Sequence, residues 1–184
     1  SNEEQLRSNY DHIEFLAYHD TLTNLPNKLA FLDYVNAVLS SPQNDRRHSV
    51  YFVDLDNFKT VNDTLGHEYG DTLLIKTAQL LSALIDGKGM LARAGGDEFL
   101  IFLEDIGTSE NAVEFASQII ETFKNPLDLD GEIVYVSMSI GISIYPENGL
   151  SSKVLIKNSD IAMYKSKDTG KNKFTLFDST MEEE

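Results

Sequence analysis

Asp97 and Glu98 follow two glycines, Gly95-Gly96, and lead into an apolar run from Phe99 to Leu103. A second acid, Asp54, closes an apolar run that starts at Val50, within Asp54-Leu55-Asp56-Asn57-Phe58-Lys59. If these runs are neighbouring strands, Asp54 and Asp97 converge at one edge of a sheet. Two carboxylates with a backbone carbonyl between them are then an oxygen set of the kind Mg²⁺ takes together with phosphates. For an isolated Gly-Gly-Asp the plainer explanation is a solvated turn, so the metal assignment depends on these partners. A calcium-binding EF-hand starting at Asp54 is excluded, because its sixth and twelfth positions are Lys59 and Leu65 rather than Gly and Glu.

Lys165, Lys167, Lys171 and Lys173 form a cationic cluster around Gly170. The helix dipole alone favours cations at a helix C-terminus; as a functional feature the cluster would hold a polyphosphate opposite the metal. Asn62 and Asp71 offer an amide and an acceptor carboxylate for a nucleobase edge, although the default reading of each is helix cap and solvated helix face. His67 receives no catalytic role. No P-loop, nucleophile elbow or paired-His metal motif is present.

The elements that must position these residues follow from the hydrophobic pattern. Leu6, Tyr10, Ile13 and Ala17 form the stripe of a short amphipathic or coiled-coil helix, expected mainly to be a packing element. Asn27 is a candidate N-cap for a helix through Leu39 with Phe31, Val35 and Val38 inward. Residues 40–47 read as a polar connection. Val50 to Leu55 reads as a central strand covered on both faces. A helix is expected from about Asn62-Asp63 to Ile85, stopped at Asp86-Gly87-Lys88-Gly89. Met90 to Ala94 and Phe99 to Leu103 then make a hairpin through Gly95-Gly96, since glycine supplies the positive φ of a tight turn. Asp97 and Glu98, adjacent on a strand, should face opposite ways.

Ala112, Phe115, Ile119 and Phe123 mark a further helix, and Asp128 to Gly131 a turn. From Val134 to Tyr145 the alternation is strict, with Ser137, Ser139, Gly141 and Ser143 on a small, polar face. That face suits the close approach of a ligand or another backbone, or partial solvation. Ser151 or Ser152 caps a helix to about Asp168, and Phe174 to Phe177 reads as the last strand. The strands and helices do not alternate one to one, so the expected class is α+β, a mixed, largely antiparallel central sheet flanked by helices.

At 184 residues one domain is the economical expectation. With 15 Lys plus Arg against 30 Asp plus Glu, the net charge of −15 argues against general nucleic-acid or anionic-membrane binding. The absence of Cys excludes disulfides and thiolate metal sites. No run is apolar and long enough to span a bilayer and no cleavable signal opens the sequence, so a cytoplasmic location is expected. Ser1-Asn2 has the look of an expression-tag scar and is excluded from fold reasoning.

Gly95-Gly96-Asp97-Glu98-Phe99 spells the signature of the GGDEF domains, and the chain resembles that diguanylate cyclase family over nearly its whole length. Asp20 to Lys28 is similar to the family's D-x-L-T-x-L-x-N-R motif, with Lys28 in the Arg place. DLDNFKTVNDTLGHEYGD, from Asp54 to Asp71, and DIAMYKSKDTGKN, from Asp160 to Asn172, are similar to two further family motifs.

The resemblance implies a fold like the nucleotide cyclase and polymerase palm, condensing two GTP to cyclic di-GMP and two pyrophosphates across a homodimer that is at least transient. Asp54, the Leu55 carbonyl, Asp97 and Glu98 would hold Mg²⁺ or Mn²⁺, and Asp97 and Glu98 would be catalytic, Glu98 as metal ligand or as base for the 3′-hydroxyl. Asn62, Asp71, Phe58, Lys59, Gly95, Gly96, Lys167 and Lys171 would bind substrate. Lys171 stands where the family has Arg, keeping the charge but losing a two-pronged grip.

The family's product-inhibition Arg-x-x-Asp is replaced by Asp86-Gly87-Lys88-Gly89, so no product-inhibition site is expected. FTLFDSTMEEE, from Phe174 to Glu184, resembles the connector to an EAL phosphodiesterase domain, implying a tandem parent protein. The expected organisation is a lead segment over 1–19, the cyclase domain over 20–177 and the start of a linker over 178–184. The alternative function is a catalytically silent GTP-binding domain that regulates an attached EAL phosphodiesterase.

Overall fold

A computed structural model describes residues 1–42 and 45–183. Positions 43 and 44 of the expected polar connection, and position 184, lie outside the described residues. The elements are α1 (Asn2–Tyr18), α2 (Lys28–Leu39), β1 (His48–Leu55), α3 (Phe58–Leu65), α4 (His67–Ile85), β2 (Gly89–Gly95), β3 (Glu98–Leu103), α5 (Ser109–Thr122), β4 (Leu127–Leu129), β5 (Glu132–Val134), β6 (Met138–Tyr145), α6 (Ser152–Asp168), β7 (Lys173–Leu176) and a final 3₁₀ turn, Ser179–Glu183. Five strands form one sheet in the order β2-β3-β1-β6-β7, antiparallel except for β6 with β7, and β4 and β5 form a separate hairpin. This is the α+β class expected from the sequence.

Every residue of β1 is buried, because both faces of the sheet are covered. Tyr51, Val53 and Leu55 face a core shared with α4 and α5; Val50 and Phe52 face a second core with Phe31 and Val35 of α2 and Leu155, Ile156 and Met163 of α6. Fully burying a side chain of this size contributes about 1.5–3 kcal/mol. Two such layers hold the β1 end, where Asp54 sits, against displacement.

The small, polar face of β6 belongs to another backbone. A Cβ on Gly141 would lie 1.8 Å from the Ser159 carbonyl oxygen and 2.2 Å from the Met163 nitrogen, so α6 lies directly on the strand. Ser143 Oγ donates to the Leu155 carbonyl at 2.7 Å, and Ser166 Oγ donates to the Ile140 carbonyl at 2.9 Å. The polar atoms of this face are thereby satisfied inside the fold, and α6, which carries Lys167, is fixed relative to the sheet.

Four expectations are corrected. The helix expected from Asn62-Asp63 begins earlier, at Phe58, and breaks at Gly66 with φ 99°. Val61, Leu65, Tyr69 and Leu73 keep a spacing of four across the break, so the apolar pattern conceals it. The strand expected from Val134 to Tyr145 is interrupted after Val134, because the Tyr135 and Ser137 carbonyls accept bonds from the loop after β1, from Asn57 Nδ2 and the Asp56 amide. The tight turn of the signature is Gly96-Asp97 rather than Gly95-Gly96, since Gly95 pairs with Glu98 beyond an irregularity between Arg93 and Gly95. Finally, the α1 stripe is left uncovered among the described residues: Leu6, Tyr10 and Ile13 are 68%, 70% and 64% exposed. Ser1, set aside as a scar, accepts a hydrogen bond from the Glu4 amide as the N-cap of α1.

Candidate functional site

The site forms where β1 ends beside the β2–β3 turn. Asp54 stands opposite Glu98 in the β1–β3 register, and the Leu55 amide donates to the Asp97 carbonyl at 3.3 Å. Asp54 and Asp97 therefore converge at this edge of the sheet. Burial first, and then the Asp97 charge and hydrogen bond, push the Asp54 carboxyl up to about 7, against the opposing pull of Lys167. Its Oδ1 is buried with no hydrogen-bond donor against it. A buried carboxylate oxygen without a donor, beside a second carboxyl, fits a hard divalent cation that would satisfy both. Among the described residues no three acidic or His side chains are grouped to hold a metal; two carboxylates plus a carbonyl and substrate oxygens remain the donor set Mg²⁺ accepts.

Gly95 and Gly96 are exposed with φ of 144° and 50°, and a Cβ on either would meet nothing within 4 Å. Conformation, not packing, requires glycine at these two positions. The turn is held from below by Arg93. Its Nε and Nη2 donate to the Gly96 carbonyl at 3.0 and 2.8 Å, and Nη1 pairs with Asp20 at 2.8 Å. Asp20 also accepts from the Thr23 amide and hydroxyl. Burial alone would raise the Asp20 carboxyl, but the Thr23 bonds and Arg93 hold it below its ordinary value. The sequence singled out no role for Arg93, because its partner Asp20 lies 73 residues away.

Glu98 lies on the Asp54 side of the sheet, beside a cavity of about 450 Å³ that Lys28 and Asp160 also line. Burial, then the charges of Asp160 and Asp97, raise its carboxyl above the usual range, partly offset by Lys28 and Lys167.

The lysine cluster is divided. Lys167 Nζ lies 3.3 Å from Asp54 and 3.8 Å from Asp56, within the site. Lys171 is exposed with φ 62° in the turn after α6. Lys173 instead donates to the Thr169 carbonyl, and Lys165 lines a groove with Tyr164 and Met181.

Asn62 of α3 lies against Gly70 of α4, the residue before Asp71. The Asn62 Oδ1 is buried without a partner, and a Cβ on Gly70 would fall 1.8 Å from it. Asp71 is exposed next to Gly70. Phe58 is half-buried near the same glycine, and Lys59 is exposed. The second acid missed by sequence reasoning is Asp56, whose carboxylate accepts from Ser137 and Ser139 hydroxyls at 2.6 and 2.5 Å and from the Asn172 amide at 3.0 Å. The signal for it was the acid-ending strand together with the Ser137 and Ser139 spacing, legible only once β1 is paired with β6.

A family model described as "Diguanylate cyclase, GGDEF domain" matches residues 17–173. The bifunctional diguanylate cyclase/cyclic di-GMP phosphodiesterase MucR of Pseudomonas aeruginosa is 39% identical over 95% of this chain and 25% of its own length. The cyclic di-GMP phosphodiesterase PdeR of Escherichia coli is 37% identical over 93% of this chain and 26% of its own. The chain thus spans about a quarter of the length of these relatives. Among solved structures, the GGDEF domain of TpbB from Pseudomonas aeruginosa superposes with a TM-score of 0.86 at 34% identity, covering 90% of this chain and 97% of that one.

Proposed function

This chain belongs to the GGDEF, diguanylate cyclase domain family, and we propose that residues 20–177 condense two GTP to cyclic di-GMP and two pyrophosphates, each of two facing copies supplying half the site. The observation that carries the reading is the pairing of Asp54 and Asp97 at one sheet edge, with the Asp54 Oδ1 lacking a donor and Lys167 3.3 Å away.

Asp54, Asp97 and the Leu55 carbonyl would hold Mg²⁺ or Mn²⁺, with Glu98 as a further oxygen ligand if its carboxylate turns towards them. Bound there, the metal supplies positive charge against the triphosphate and the developing 3′-oxyanion. Asn62 and Asp71 read guanine, Phe58, Lys59, Gly95 and Gly96 border the nucleotide, and Lys167 with Lys171 neutralises phosphate charge. Each 3′-oxygen attacks the α-phosphorus of the facing nucleotide in line with departing pyrophosphate. One P–O bond forms and one breaks at each phosphorus. Glu98, whose carboxyl is raised by burial and by the charges of Asp160 and Asp97, would take the 3′-hydroxyl proton when not ligating. Lys167, 3.3 Å from Asp54, would set its ammonium against phosphate charge beside the carboxylates that would hold the cation.

Because a metal site, a base and a nucleotide on each copy make only half a reaction, a homodimer, at least transient, is the active species. The net charge of −15 leaves no general affinity for nucleic acid or anionic membrane. Among the described residues no helix is long and apolar enough to cross a membrane. The names of the relatives MucR and PdeR, which include phosphodiesterase activity, support an attached EAL domain in the parent protein and favour a second reading, a silent GTP-binding regulator of that domain. Incubation with GTP and Mg²⁺ separates the two: cyclic di-GMP with two pyrophosphates is the expected result, and saturable GTP binding without product would leave the regulatory reading.

A further inference from the structure

The three-residue segment Asp54-Leu55-Asp56 carries two acids, and the structure gives them different work. The Asp54 carboxylate keeps one oxygen without a donor, whereas the Asp56 carboxylate is saturated. Its Oδ1 accepts from Ser139 Oγ, its Oδ2 accepts from Ser137 Oγ and from the Asn172 amide, and its side chain is 5% exposed. Little lone-pair capacity remains for a cation. What Asp56 does instead is fasten three segments: the end of β1, the approach to β6, and the turn after α6.

That turn is unusual. Gly170, Lys171 and Asn172 all have positive φ, at 123°, 62° and 50°. Two consecutive non-glycine residues in the left-handed region are held only where surroundings over-determine them. Asp56 supplies the tie through the Asn172 amide, and the Lys171 amide donates to the Ser166 carbonyl at 2.9 Å. Lys167, one turn earlier on α6, lies 3.8 Å from the same Asp56 carboxylate.

We infer that Asp56 is a positioning residue for phosphate binding. It ligates no metal; it bends the chain after α6 so that Lys171 reaches a triphosphate next to Asp54, and its charge steadies the Lys167 ammonium 3.8 Å away on the same side. The inference deepens the cyclase reading and rests on it for the identity of the ligand, while the tie itself is independent of that reading.

The test is Asp56→Asn, isosteric but uncharged, with Ser137→Ala/Ser139→Ala as the second variant should Asp56→Asn not fold. Hydrogen exchange of a peptide covering 169–175 should accelerate tenfold or more in Asp56→Asn, with exchange elsewhere unchanged. By calorimetry with Mg²⁺ present, affinity for 3′-deoxy-GTP, which cannot condense, and for inorganic tripolyphosphate should fall about tenfold. Guanosine affinity should stay within twofold, and the Mg²⁺ concentration for half-maximal turnover should not move. The serine double variant should act in the same direction with a smaller effect, two- to fivefold.

Unchanged exchange over 169–175 overturns the inference, as does an equal loss for guanosine and tripolyphosphate. A shifted Mg²⁺ requirement with intact tripolyphosphate binding would make Asp56 a metal-site residue and also overturn it. If the wild-type chain binds neither guanosine nor 3′-deoxy-GTP, the cyclase reading fails, and exchange with tripolyphosphate still decides whether Asp56 holds a phosphate-binding turn.

Discussion

Gly70→Ala separates the fold from the guanine-reading role proposed for Asn62 at a single methyl. The new Cβ would sit 1.8 Å from the Asn62 Oδ1 and 2.9 Å from its Cγ, but 3.4 Å from the nearest Phe58 atom. Contacts of real Cβ atoms are essentially never under 3.0 Å, so the Asn62 oxygen must retreat by at least 1.2 Å, the difference between 3.0 and 1.8. The retreat is cheap, because that oxygen has no hydrogen bond to lose. Alanine also favours the helix by about 0.5–1 kcal/mol over glycine. Stability should therefore stay within about 1 kcal/mol of wild type, a shift of about 2–4 °C in Tm for a chain of this size. Binding is another matter. An Asn62 amide turned away from guanine forfeits hydrogen bonds of about 0.5–1.5 kcal/mol each and leaves ligand polar groups unpaired. GTP affinity should drop by about tenfold to a hundredfold, at ~1.4 kcal/mol per tenfold. Calorimetry with 3′-deoxy-GTP and a thermal melt read both quantities. Wild-type affinity would refute the placement of Asn62 at the base. A collapse in Tm would show that the methyl strikes backbone and not a movable side chain.

Three further outcomes follow from the same geometry. Arg93→Ala leaves Asp20 and the Gly96 carbonyl without their partner; side chains 14% and 18% exposed lie close to the buried regime, so a loss of about 2–4 kcal/mol is expected, and Arg93→Lys should recover only part of the thermal stability. The Asp54 carboxyl is raised from 3.8 to about 7, so the folded state binds its proton more tightly and loses stability as pH climbs through that window. In chelator, the urea midpoint of Asp54→Asn should therefore gain on wild type between about pH 4 and pH 7, and a constant gap would remove the assigned cause. Asp86 and Gly87 form the left-handed end of α4, with φ of 47° and 76°, which gives that turn a structural duty. Cyclic di-GMP should not inhibit through it, and tight product binding that disappears in Asp86→Ala or Lys88→Ala would contradict this.

The elements legible in the sequence are those whose cause is local. Asn27 caps α2 and Ser151 caps α6 by accepting from amides three residues on, and the continuous apolar run of β1 and the alternation of β6 mark the two strands. The Asp54–Asp97 meeting was legible only as a condition on strand order, which pairing β1 with β3 fulfils. What escaped depends on distant partners. Asp56 meets Ser137, Ser139 and Asn172 across 81, 83 and 116 residues, and no spacing within a window of the chain encodes such contacts. The Gly66 break escaped for a different reason, since a four-residue apolar spacing runs through it. The α1 stripe has a helical period without a partner among the described residues, so periodicity identified the helix but not what covers it.

The most direct test of the central claim is cyclic di-GMP formation from GTP and Mg²⁺ as the concentration of the chain rises. Two half-sites require specific activity to increase with concentration until facing pairs saturate, and Asp97→Ala to abolish product while GTP still binds. Activity that is independent of concentration, or that persists in Asp97→Ala, would contradict the account of a metal-bearing turn on each of two facing copies.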